Sequence, residues 1–537
     1  MTRTAAQLIA KRLYEAGCRH AFGIPGGEVL TMMQALQDAG LAFILVKHEN
    51  AGGFMAEGTF HATGAPGVLL ATIGPGITNA VNVVANAAQD RVPLILLTGA
   101  FDAAQAHTYN HQVLDHVALM KTVTKASFTL VDGAVDVIID KAVSITMDPR
   151  PGPVHIDVPT LLAPIEQKIT PFTRRVQPAL MAPAPGPDLG FARNLLAGAR
   201  RPIMIAGVEV LEHNASQSVA ALARDFSIPL ITTYKGKGIL SEDDALALGG
   251  WGLSPLGDSH LLPLIGAADL ILLAGYDPIE MRTSWVTPWQ ADQVPVIEFA
   301  AVANTHYVHQ ASLSFIGDIG AGLNALRKDV SPRETWPDGE PRETRKALAA
   351  AFPTDEKWGP AAICDELRRA LPDDALVSVD TGAHRILLNS VWKCRQPHTL
   401  IQSSAFGSMG CGLPLAIGAK LSDPDRNVVA VTGDAGLEMI LGELATMRDQ
   451  KLAVVVVVFV DASLTLIEMK QRASGMGNLG VDFERTDFAA VARALGGNGV
   501  DVDNRADLAT ALRDGLCADT YTVIAAHIPR NAYDGRI

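Results

Sequence analysis

The chain has 537 residues and 48% hydrophobic content, so it can bury a large core and should divide into several domains of about 100–200 residues each. Its 57 acidic and 44 basic residues give a net charge of -13, which disfavours a nucleic-acid or anionic-membrane surface. The five cysteines form no CxxC pair, the first residues do not form a signal peptide, and the longest apolar strand run has nine residues, so we expect a cytoplasmic protein without membrane spans.

The first third of the sequence alternates helix and strand patterns. A capping-box pattern at Thr4 to Gln7 predicts a helix that ends near Gly17. Apolar runs at 42–46, 68–71 and 94–97 are separated by helical stretches, and the segment 152–159 closes the block. Runs that are apolar on both faces and alternate with helices are typical of a doubly covered parallel sheet.

Two further blocks follow proline-bearing stretches at 178–187 and 327–358, which we interpret as linkers. The predicted strands of the second block are 203–206, 230–232, 270–274 and 296–299, and those of the third are 376–379, 428–431, 454–460 and 521–525. We therefore predict an α/β protein of three consecutive doubly wound domains with mostly parallel sheets, spanning 1–170, 188–328 and 355–537.

Two aspartates at predicted strand ends carry the strongest chemical signal. Asp434 lies in Gly433-Asp434-Ala435-Gly436, after the strand 428–431, and Asp461 follows the strand 454–460. Ligands bind at this edge of open α/β sheets, and Mg2+ normally uses one or two carboxylates together with phosphate oxygens. The glycines let backbone N–H groups approach an anion at the start of a helix. The pattern predicts a metal-bridged diphosphate; the alternative is two solvated aspartates.

These residues resemble the thiamine diphosphate motif of the acetohydroxyacid synthase and 2-oxo acid decarboxylase family, Gly-Asp-Gly/Ala followed at this distance by Asn-Asn/Asp. Val460 stands where the first Asn is usual, and Ala435 occupies the third position. The resemblance implies that Asp434, Asp461 and the backbone carbonyl of Ser463 hold Mg2+. The cofactor-binding residues that it implies in this motif are Gly433, Asp434, Ala435, Gly436, Asp461 and Ser463.

The resemblance covers nearly the whole chain, with pyrimidine-binding, central and diphosphate-binding domains in that order. The other family-like segments are Lys47 to Ala51 with Met55 to Gly58, Ile73 to Gly76 with Asn79, Arg91 to Leu94, and Gly152 to Pro159. The resemblance implies that Gly74 and Asn79 contact the cofactor.

Glu49 follows the apolar run 42–46 and precedes a helix, which puts it at the rim of the first sheet. Thiamine must lose the proton on C2 of its thiazolium ring, a carbon acid too weak to ionise unaided at neutral pH. The cofactor's aminopyrimidine can take this proton if a carboxyl group in a dry environment, with a raised pKa, bonds to the far ring nitrogen. The resemblance assigns this role to Glu49; the alternative is an acid that stabilises a helix N-terminus.

Two loops of the third block complete the expected cofactor site. Gly407-Ser408-Met409-Gly410 resembles the segment that bends the cofactor into a V shape. By that resemblance, Gly407 offers its carbonyl to the 4'-amino group, and the adaptable Met409 side chain props the rings together, although a lone Met is ordinarily core filler. The loop Thr381-Gly382-Ala383-His384 follows the strand that ends near Asp380 and is expected to contact the diphosphate.

His111-Gln112 lies where the synthases have a Phe-Gln pair and pyruvate decarboxylase has a His-His pair. His111 can handle protons of the substrate at physiological pH, or it is an exposed loop histidine without a role. Gln112, which is shared with the synthase pattern, is expected to contact the bound reaction intermediate.

Three functions remain open. The first is a carboligase like acetohydroxyacid synthase, which decarboxylates a 2-oxo acid such as pyruvate and joins the product to a second carbonyl compound. The second is a decarboxylase or other C–C lyase that releases an aldehyde. The third is a catalytically silent partner subunit, against which the intact acids Glu49, Asp434 and Asp461 argue. We predict the first, with the second as the alternative.

The resemblance also implies partners and cofactors. One subunit supplies Glu49 and its partner supplies Asp434, Asp461 and Met409, so a homodimer is the minimum unit and a homotetramer is common. Thiamine diphosphate and Mg2+ are expected. FAD is possible, although Tyr276-Asp277-Pro278-Ile279-Glu280 is not the Arg-rich stretch that contacts flavin in the synthases. No P-loop, dinucleotide or zinc motif is present, and we expect neither nucleic acid nor a membrane as a partner.

Overall fold

Three parallel sheets follow one another along the chain, as the sequence predicts. The computed structural model describes residues 3–168, 179–278, 281, 285–306 and 308–537. Within these residues, each of the three large sheets has six parallel strands and is flanked by helices. The predicted α/β class with three consecutive doubly wound domains is therefore confirmed. In this described part of the chain, none of the helices is both long and apolar enough to cross a bilayer.

The first sheet begins with the predicted capping box. The Thr4 hydroxyl accepts the Gln7 N–H at 3.3 Å, and the Gln7 side chain accepts the Thr4 N–H at 3.1 Å. The elements are β1 (Arg3–Thr4), α1 (Ala5–Glu15), β2 (His20–Gly23), a 3-10 turn (Gly27–Val29), α2 (Leu30–Ala39), β3 (Ala42–Leu45), α3 (Glu49–Thr63), β4 (Gly67–Ala71), α4 (Pro75–Asp90), β5 (Leu94–Ala100), α5 (Ala103–Thr108), α6 (His116–Met120), β6 (Ala126–Thr129), α7 (Val135–Thr146), β7 (Val154–Pro159) and β8 (Glu166–Gln167). The sheet order is β3-β2-β4-β5-β7-β6, and β1 pairs separately with β8.

The central sheet has the strand order of dinucleotide-binding folds. Its elements are α8 (Pro187–Gly198), β9 (Pro202–Ala206), α9 (Val208–Glu212), α10 (Ser216–Asp225), β10 (Leu230–Thr232), β11 (Ala247–Gly250), α11 (Pro255–Gly266), β12 (Leu270–Ala274), β13 (Val296–Ala300), β14 (Leu313–Ile316) and α12 (Ile319–Arg327). The order β11-β10-β9-β12-β13-β14 reverses between β9 and β12. In such sheets, ligands bind in the crevice at this reversal.

The second predicted linker, 327–358, is partly wrong because it contains a helix, α13 (Glu340–Ala351). Most of its residues are charged or small, but Leu348 is buried in a hydrophobic core that also holds Trp336 and Phe352. Pro178, the start of the first predicted linker, lies outside the described residues. The strands of the three sheets fall within 1–170, 188–328 and 355–537, and we propose these ranges as the domains.

The third sheet repeats the topology of the first. Its elements are α14 (Pro360–Ala370), β15 (Leu376–Val379), α15 (Ala383–Val391), β16 (Leu400–Gln402), α16 (Gly412–Ser422), β17 (Val428–Gly433), α17 (Asp434–Glu438), α18 (Glu443–Asp449), β18 (Val455–Val460), α19 (Thr465–Ala473), α20 (Phe488–Ala494), β19 (Asn498–Val502), α21 (Arg505–Leu516) and β20 (Thr522–His527). The order β16-β15-β17-β18-β20-β19 places its strands as in the first sheet. The order therefore reverses between β2 and β4 in one sheet and between β15 and β17 in the other.

The first and third domains are docked through α3 and α16. A side chain at Gly58 would come within 2.2 Å of the Leu415 carbonyl oxygen, and one at Gly418 within 1.8 Å of the Met55 carbonyl oxygen. Only glycine permits such a close approach of two helix backbones. Buried residues of both domains form one hydrophobic cluster around this contact. The helix that begins with Glu49 is thus held rigidly against the domain that carries Asp434.

Candidate active site

Asp434 connects the ends of two neighbouring strands in the third domain. It is the first residue of α17 and is only 4% exposed. One carboxylate oxygen accepts the Ala435 N–H at 2.8 Å. The other accepts the N–H groups of Asp461 at 3.1 Å and Ala462 at 2.7 Å. The two predicted metal-binding segments therefore meet at one edge of the sheet.

Asp461 and Ser463 flank a strained residue. Ala462 has φ 58°, a left-handed conformation that costs about 1–2 kcal/mol for a residue with a side chain. Its N–H bond to Asp434 stabilises this turn. Asp461 accepts a hydrogen bond from the Thr465 hydroxyl, and Asp461 and Ser463 are 6% and 9% exposed. We refer to Thr381, His384, Gly433, Asp434 and Asp461 as the aspartate cluster.

The electrostatics of the two acids fit a bound cation. Burial, together with the neighbouring Asp434 carboxylate, raises the pKa of Asp461 to about 6, although the Thr465 hydroxyl opposes the shift. Burial also raises the pKa of Asp434, although three backbone N–H groups oppose the shift. Two desolvated carboxylates at close range disfavour one another's charge. A divalent cation with oxygen ligands offsets this repulsion.

The loop 381–384 brings unsatisfied polar atoms to the same edge. The hydroxyl oxygen of Thr381 and Nε2 of His384 are buried and have no hydrogen-bond partner among the described residues. Burial lowers the pKa of His384 to about 3, so its ring is neutral. A side chain at Gly433 would come within 3.3 Å of this ring. Buried polar atoms normally have partners, so these two favour a polar ligand beside the N-terminus of α15.

Asp380 is a residue of this site that we did not predict. It is fully buried and accepts the N–H groups of Gly410 at 3.0 Å and Cys411 at 3.3 Å, as well as the Thr432 hydroxyl at 3.0 Å. It therefore ties the loop of Gly407 and Met409 to the strand that leads to Asp434. Asp380 directly follows the strand 376–379. Asp434 and Asp461 were selected from the sequence because they also follow predicted strands.

The loop of Gly407 and Met409 is also anchored to the first domain. The N–H groups of Ser404 and Ala405 donate to Asp90 at 3.1 and 3.0 Å, and the Ser408 hydroxyl donates to Asn82 at 3.3 Å. Gly407 has φ 74°, which favours glycine, and Met409 is partly exposed beside it. The position of this loop thus depends on both domains.

Glu49 lies at the edge of the first sheet together with the predicted turn 73–76. It is 4% exposed, and it accepts a hydrogen bond from the Asn79 side chain at 3.0 Å. A side chain at Gly76 would reach 3.5 Å from a Glu49 carboxylate oxygen. The environment is dry, as the proposed role of Glu49 requires. We refer to Glu49, Gly74, Asn79 and Gln112 as the glutamate cluster.

Gln112 is in contact with the turn, and His111 lies beside it on the same loop. A side chain at Gly74 would come within 3.0 Å of Cβ of Gln112 and 3.1 Å of its carbonyl oxygen. Gln112 has φ 58° and is exposed, as is His111. The structure therefore brings Gln112 to the glutamate cluster and leaves His111 on an exposed loop.

The glutamate cluster and the aspartate cluster lie in different domains of the chain. Glu49 bonds to Asn79 of its own domain, whereas Asp434 bonds to Ala435, Asp461 and Ala462 of the third domain. Among the described residues, no hydrogen bond or ion pair joins Glu49 to Asp434 or Asp461. Neither cluster alone contains all the predicted groups.

The crevice of the central sheet is filled by the protein itself. Glu209 follows β9, is 1% exposed, and accepts the Ala301 N–H at 3.0 Å and the Arg150 side chain at 3.1 Å. A side chain at Gly207 would come within 2.5 Å of the Gly275 carbonyl oxygen, so the loops after β9 and β12 are in contact. Of the stretch 276–280, Asp277 is buried and paired with Arg91 at 2.9 Å, while Ile279 and Glu280 lie outside the described residues.

Models of protein families match all three parts of the chain. The N-terminal binding domain of thiamine pyrophosphate enzymes matches residues 3–119, and their central domain matches residues 189–326. Their C-terminal binding domain matches residues 380–526, which include the aspartate cluster.

Curated relatives are similar to the chain over nearly its whole length. The acetolactate synthase of Bacillus subtilis (strain 168) is 29% identical, over 97% of this chain and 92% of that protein. The acetolactate synthase large subunit of Parasynechococcus marenigrum (strain WH8102) is 30% identical, over 98% of this chain and 88% of that protein. A probable 2-ketoarginine decarboxylase of Pseudomonas aeruginosa is 30% identical, over 92% of this chain and 89% of that protein.

Proposed function

The chain belongs to the thiamine pyrophosphate enzyme family, and we propose that it is a carboligase that acts on a 2-oxo acid, like the acetolactate synthases to which it is similar. It decarboxylates the acid and joins the remaining fragment to a second carbonyl compound. The observation that carries the proposal is the buried pair Asp434 and Asp461, which follow the neighbouring strands β17 and β18 next to the strand-order reversal of the third sheet. Thiamine diphosphate, when bound, supplies a nucleophilic carbon and accepts the electrons that carbon dioxide leaves behind.

The aspartate cluster is suited to hold the diphosphate end. Asp434, Asp461 and the carbonyl of Ser463 would bind Mg2+. The Thr381 hydroxyl and Nε2 of His384, which have no partner among the described residues, would bind the diphosphate oxygens together with the backbone of Gly382 and Ala383 and the segment 433–436. Asp434 has a second task, because its hydrogen bonds hold the Asp461 loop in place.

The glutamate cluster is suited to control protons. Glu49 would hold a proton at the far nitrogen of the aminopyrimidine ring, and Asn79 orients its carboxylate. Gly407 would accept a hydrogen bond from the 4'-amino group at its carbonyl, and Met409 would support the bent shape. Gln112, on the turn at Gly74, would orient the substrate, with His111 as a second candidate on the same loop.

We propose that the active site is completed by a second copy of the chain. The glutamate cluster lies in the first domain and the aspartate cluster in the third, the chemistry needs groups from both, and the resemblance implies that the cofactor spans two chains. A homodimer in which each site takes Glu49 from one subunit and Asp434 from the other satisfies this need. A homotetramer would contain the same pairs.

A lyase is the second candidate. The relative from Pseudomonas aeruginosa is named as a probable decarboxylase, at the same identity as the synthase large subunit of Parasynechococcus marenigrum. In a lyase, a residue of this site protonates the substrate-derived carbon, and an aldehyde leaves.

Product analysis separates these functions. We expect purified protein, given thiamine diphosphate, Mg2+ and a panel of 2-oxo acids, to form acetolactate or a related 2-hydroxy-3-oxo acid, identified by mass spectrometry. Free aldehyde as the main product supports the lyase instead. A protein that binds the cofactor but converts no donor is a silent partner subunit, and the proposal of a carboligase is then wrong.

We further propose that the protein binds no flavin. The buried side chains of Glu209 and Asp277, which are paired with Arg150 and Arg91, occupy the crevice where the diphosphate of a dinucleotide would lie. Protein purified without added flavin is expected to lack flavin absorbance, and titration into FAD should leave its fluorescence unchanged. Binding of thiamine diphosphate by the same preparation is the positive control. A stoichiometric flavin would refute this prediction.

A further inference from the structure

A buried polar network crosses the first sheet beneath the glutamate cluster. Thr98 on β5 and His155 on β7 are fully buried, and Asp157 and His116 are 6% and 5% exposed. The Ser127 hydroxyl lies 2.7 Å from Nδ1 of His155, and Nε2 of His155 lies 2.7 Å from the Thr98 hydroxyl. The Thr98 hydroxyl donates to Asp157 at 2.6 Å, and Nδ1 of His116 lies 2.8 Å from the same carboxylate oxygen.

Each proton of this network has one place. Because the Thr98 hydroxyl donates to Asp157, its oxygen accepts from Nε2 of His155, and Nδ1 of His155 then accepts from Ser127. Asp157 accepts in the same way from Nδ1 of His116, which leaves Nε2 of His116 as an acceptor. Burial raises the pKa of Asp157, but hydrogen bonds from His116 and His155 outweigh it, so the pKa lies below its ordinary value.

Hydrogen bonds account for the network without a metal ion. Atoms of His116, His155 and Asp157 lie within 4.8 Å of one another, a spacing compatible with a cation. However, Nδ1 of His116 and Nε2 of His155 carry protons in the assignment above and cannot be ligands. Their positions are explained by hydrogen bonds alone.

Through Nε2 of His116, the network also contacts the backbone of Gly74. The Gly74 N–H donates to Nε2 of His116 at 3.4 Å in a buried position. Gly74 has φ 62° and ψ -103°, so its peptide groups are not aligned by a regular element. Gln112 packs on Gly74, and Gly76 of the same turn lies beside Glu49. His116 thus links the strands β5 and β7 to the turn, and the turn contacts both Gln112 and Glu49.

We propose that His116 is a positioning residue, which holds the Gly74 turn, and with it Gln112, in the geometry needed for turnover. The proposal rests on the proposed function, because it assumes that the turn faces the reaction. It assigns no contact with substrate to His116. Asp157 and His155 act one step further away, since they fix the orientation of the His116 ring.

Two substitutions divide the roles of the ring nitrogens. In His116→Asn, the amide nitrogen can take the place of Nδ1 and donate to Asp157, but the side chain is too short to reach Gly74. In His116→Gln, the amide oxygen can take the place of Nε2 and accept from Gly74, but Asp157 loses this hydrogen bond and keeps the one from Thr98. A purely structural role predicts that Asn is the better replacement, whereas positioning of Gly74 predicts that Gln is.

We expect His116→Asn to lower kcat by about 10–100-fold and His116→Gln by about threefold or less, since small misplacements of catalytic groups cost that much. Thermal stability should follow the opposite order, because Asp157 keeps both hydrogen bonds in the Asn variant. Affinity for thiamine diphosphate with Mg2+ should change much less than kcat in both variants, because the aspartate cluster is untouched. Equal kcat values, or kcat values that follow stability, would overturn the proposal.

Hydrogen exchange tests the contact independently of activity. In protein without cofactor, His116→Asn should speed deuterium uptake at the Gly74 amide by about 3–10-fold, the weight of one ordinary hydrogen bond, and His116→Gln should not. Unchanged uptake in the Asn variant contradicts the proposed contact. If wild-type protein neither binds the cofactor nor turns over a donor, the proposed function fails, and the exchange result still decides whether His116 holds Gly74.

Discussion

Replacing Glu49 with glutamine is expected to slow exchange of the cofactor's C2 proton by about two to four orders of magnitude, the weight of a positioned acid or base. The amide keeps the size of the side chain, and its oxygen can still accept the Asn79 hydrogen bond, but it cannot share a proton with the aminopyrimidine ring. Cofactor affinity should change little, since the groups that hold the diphosphate are on another domain. Exchange is measured by proton NMR on rapidly quenched samples in deuterated water.

Glu57→Gln is the matched control for this experiment. Glu57 lies on the same helix, is 1% exposed, and bonds to Asn86 at 3.3 Å, as Glu49 bonds to Asn79. Both variants thus lose a buried carboxyl group of α3, but of these two residues only Glu49 lies at the sheet edge. Normal C2 exchange in Glu49→Gln, or equal slowing in both variants, would remove Glu49 from the mechanism.

Asp434→Ala is expected to abolish cofactor binding. The substitution removes a metal ligand and leaves the N–H groups of Asp461 and Ala462 without an acceptor, so the second ligand loses its position as well. The loss of affinity should exceed the about 10–100-fold that removal of an outer partner costs a metal site. Calorimetric titration of thiamine diphosphate with Mg2+ in excess measures it. Removal of Mg2+ with a chelator should reproduce the effect in wild-type protein.

Stability measurements separate loss of the metal from loss of the fold. Without cofactor, Asp434→Ala should lower the free energy of unfolding by about 1–3 kcal/mol for the unsatisfied N–H groups. Cofactor and Mg2+ should raise the Tm of wild-type protein but not that of Asp434→Ala. The control is Glu438→Gln, which changes a neighbouring acid on α17 and should keep the increase in Tm. A Tm increase in Asp434→Ala equal to that of wild-type protein would show that this residue does not hold the metal.

The strands that sequence patterns missed are mostly at sheet edges. In the three large sheets, five of them, β6, β11, β14, β16 and β19, are edge strands and β2 is an inner strand, while β1 and β8 form the separate two-stranded pair. An edge strand has one neighbour and need not be apolar on both faces, so β14 and β19 contain exposed residues. Strand β2 has four residues and begins with His20, too little for a clear apolar run. The inner strands were predictable because they are buried on both faces.

The candidate site was predictable where function needs a local pattern. Asp434 and Asp461 each follow an apolar strand, and Glu49 lies between a strand and a helix, so their chemistry and their place at a sheet edge can be read from the chain. The roles of His111 and Gln112 were harder to predict because their loop has no periodic pattern. The structure places Gln112 against the turn at Gly74. Asp380 carries the same signal as Asp434, and its role as an anchor of the 410–411 backbone becomes visible only in space.

The amino-acid sequence alone determined three parallel α/β domains, the two aspartates at strand ends that we propose as metal ligands, and the resemblance that implies thiamine diphosphate, because strand burial and motif spacing are local properties. The tertiary structure alone decided that Glu209 and Arg150 fill the central crevice, that α3 docks on α16, and that His116 connects Gly74 to Asp157. These contacts join residues far apart in the chain, and their existence depends on how close the packed backbones approach. A local pattern of residues does not reveal how closely these segments approach one another in space.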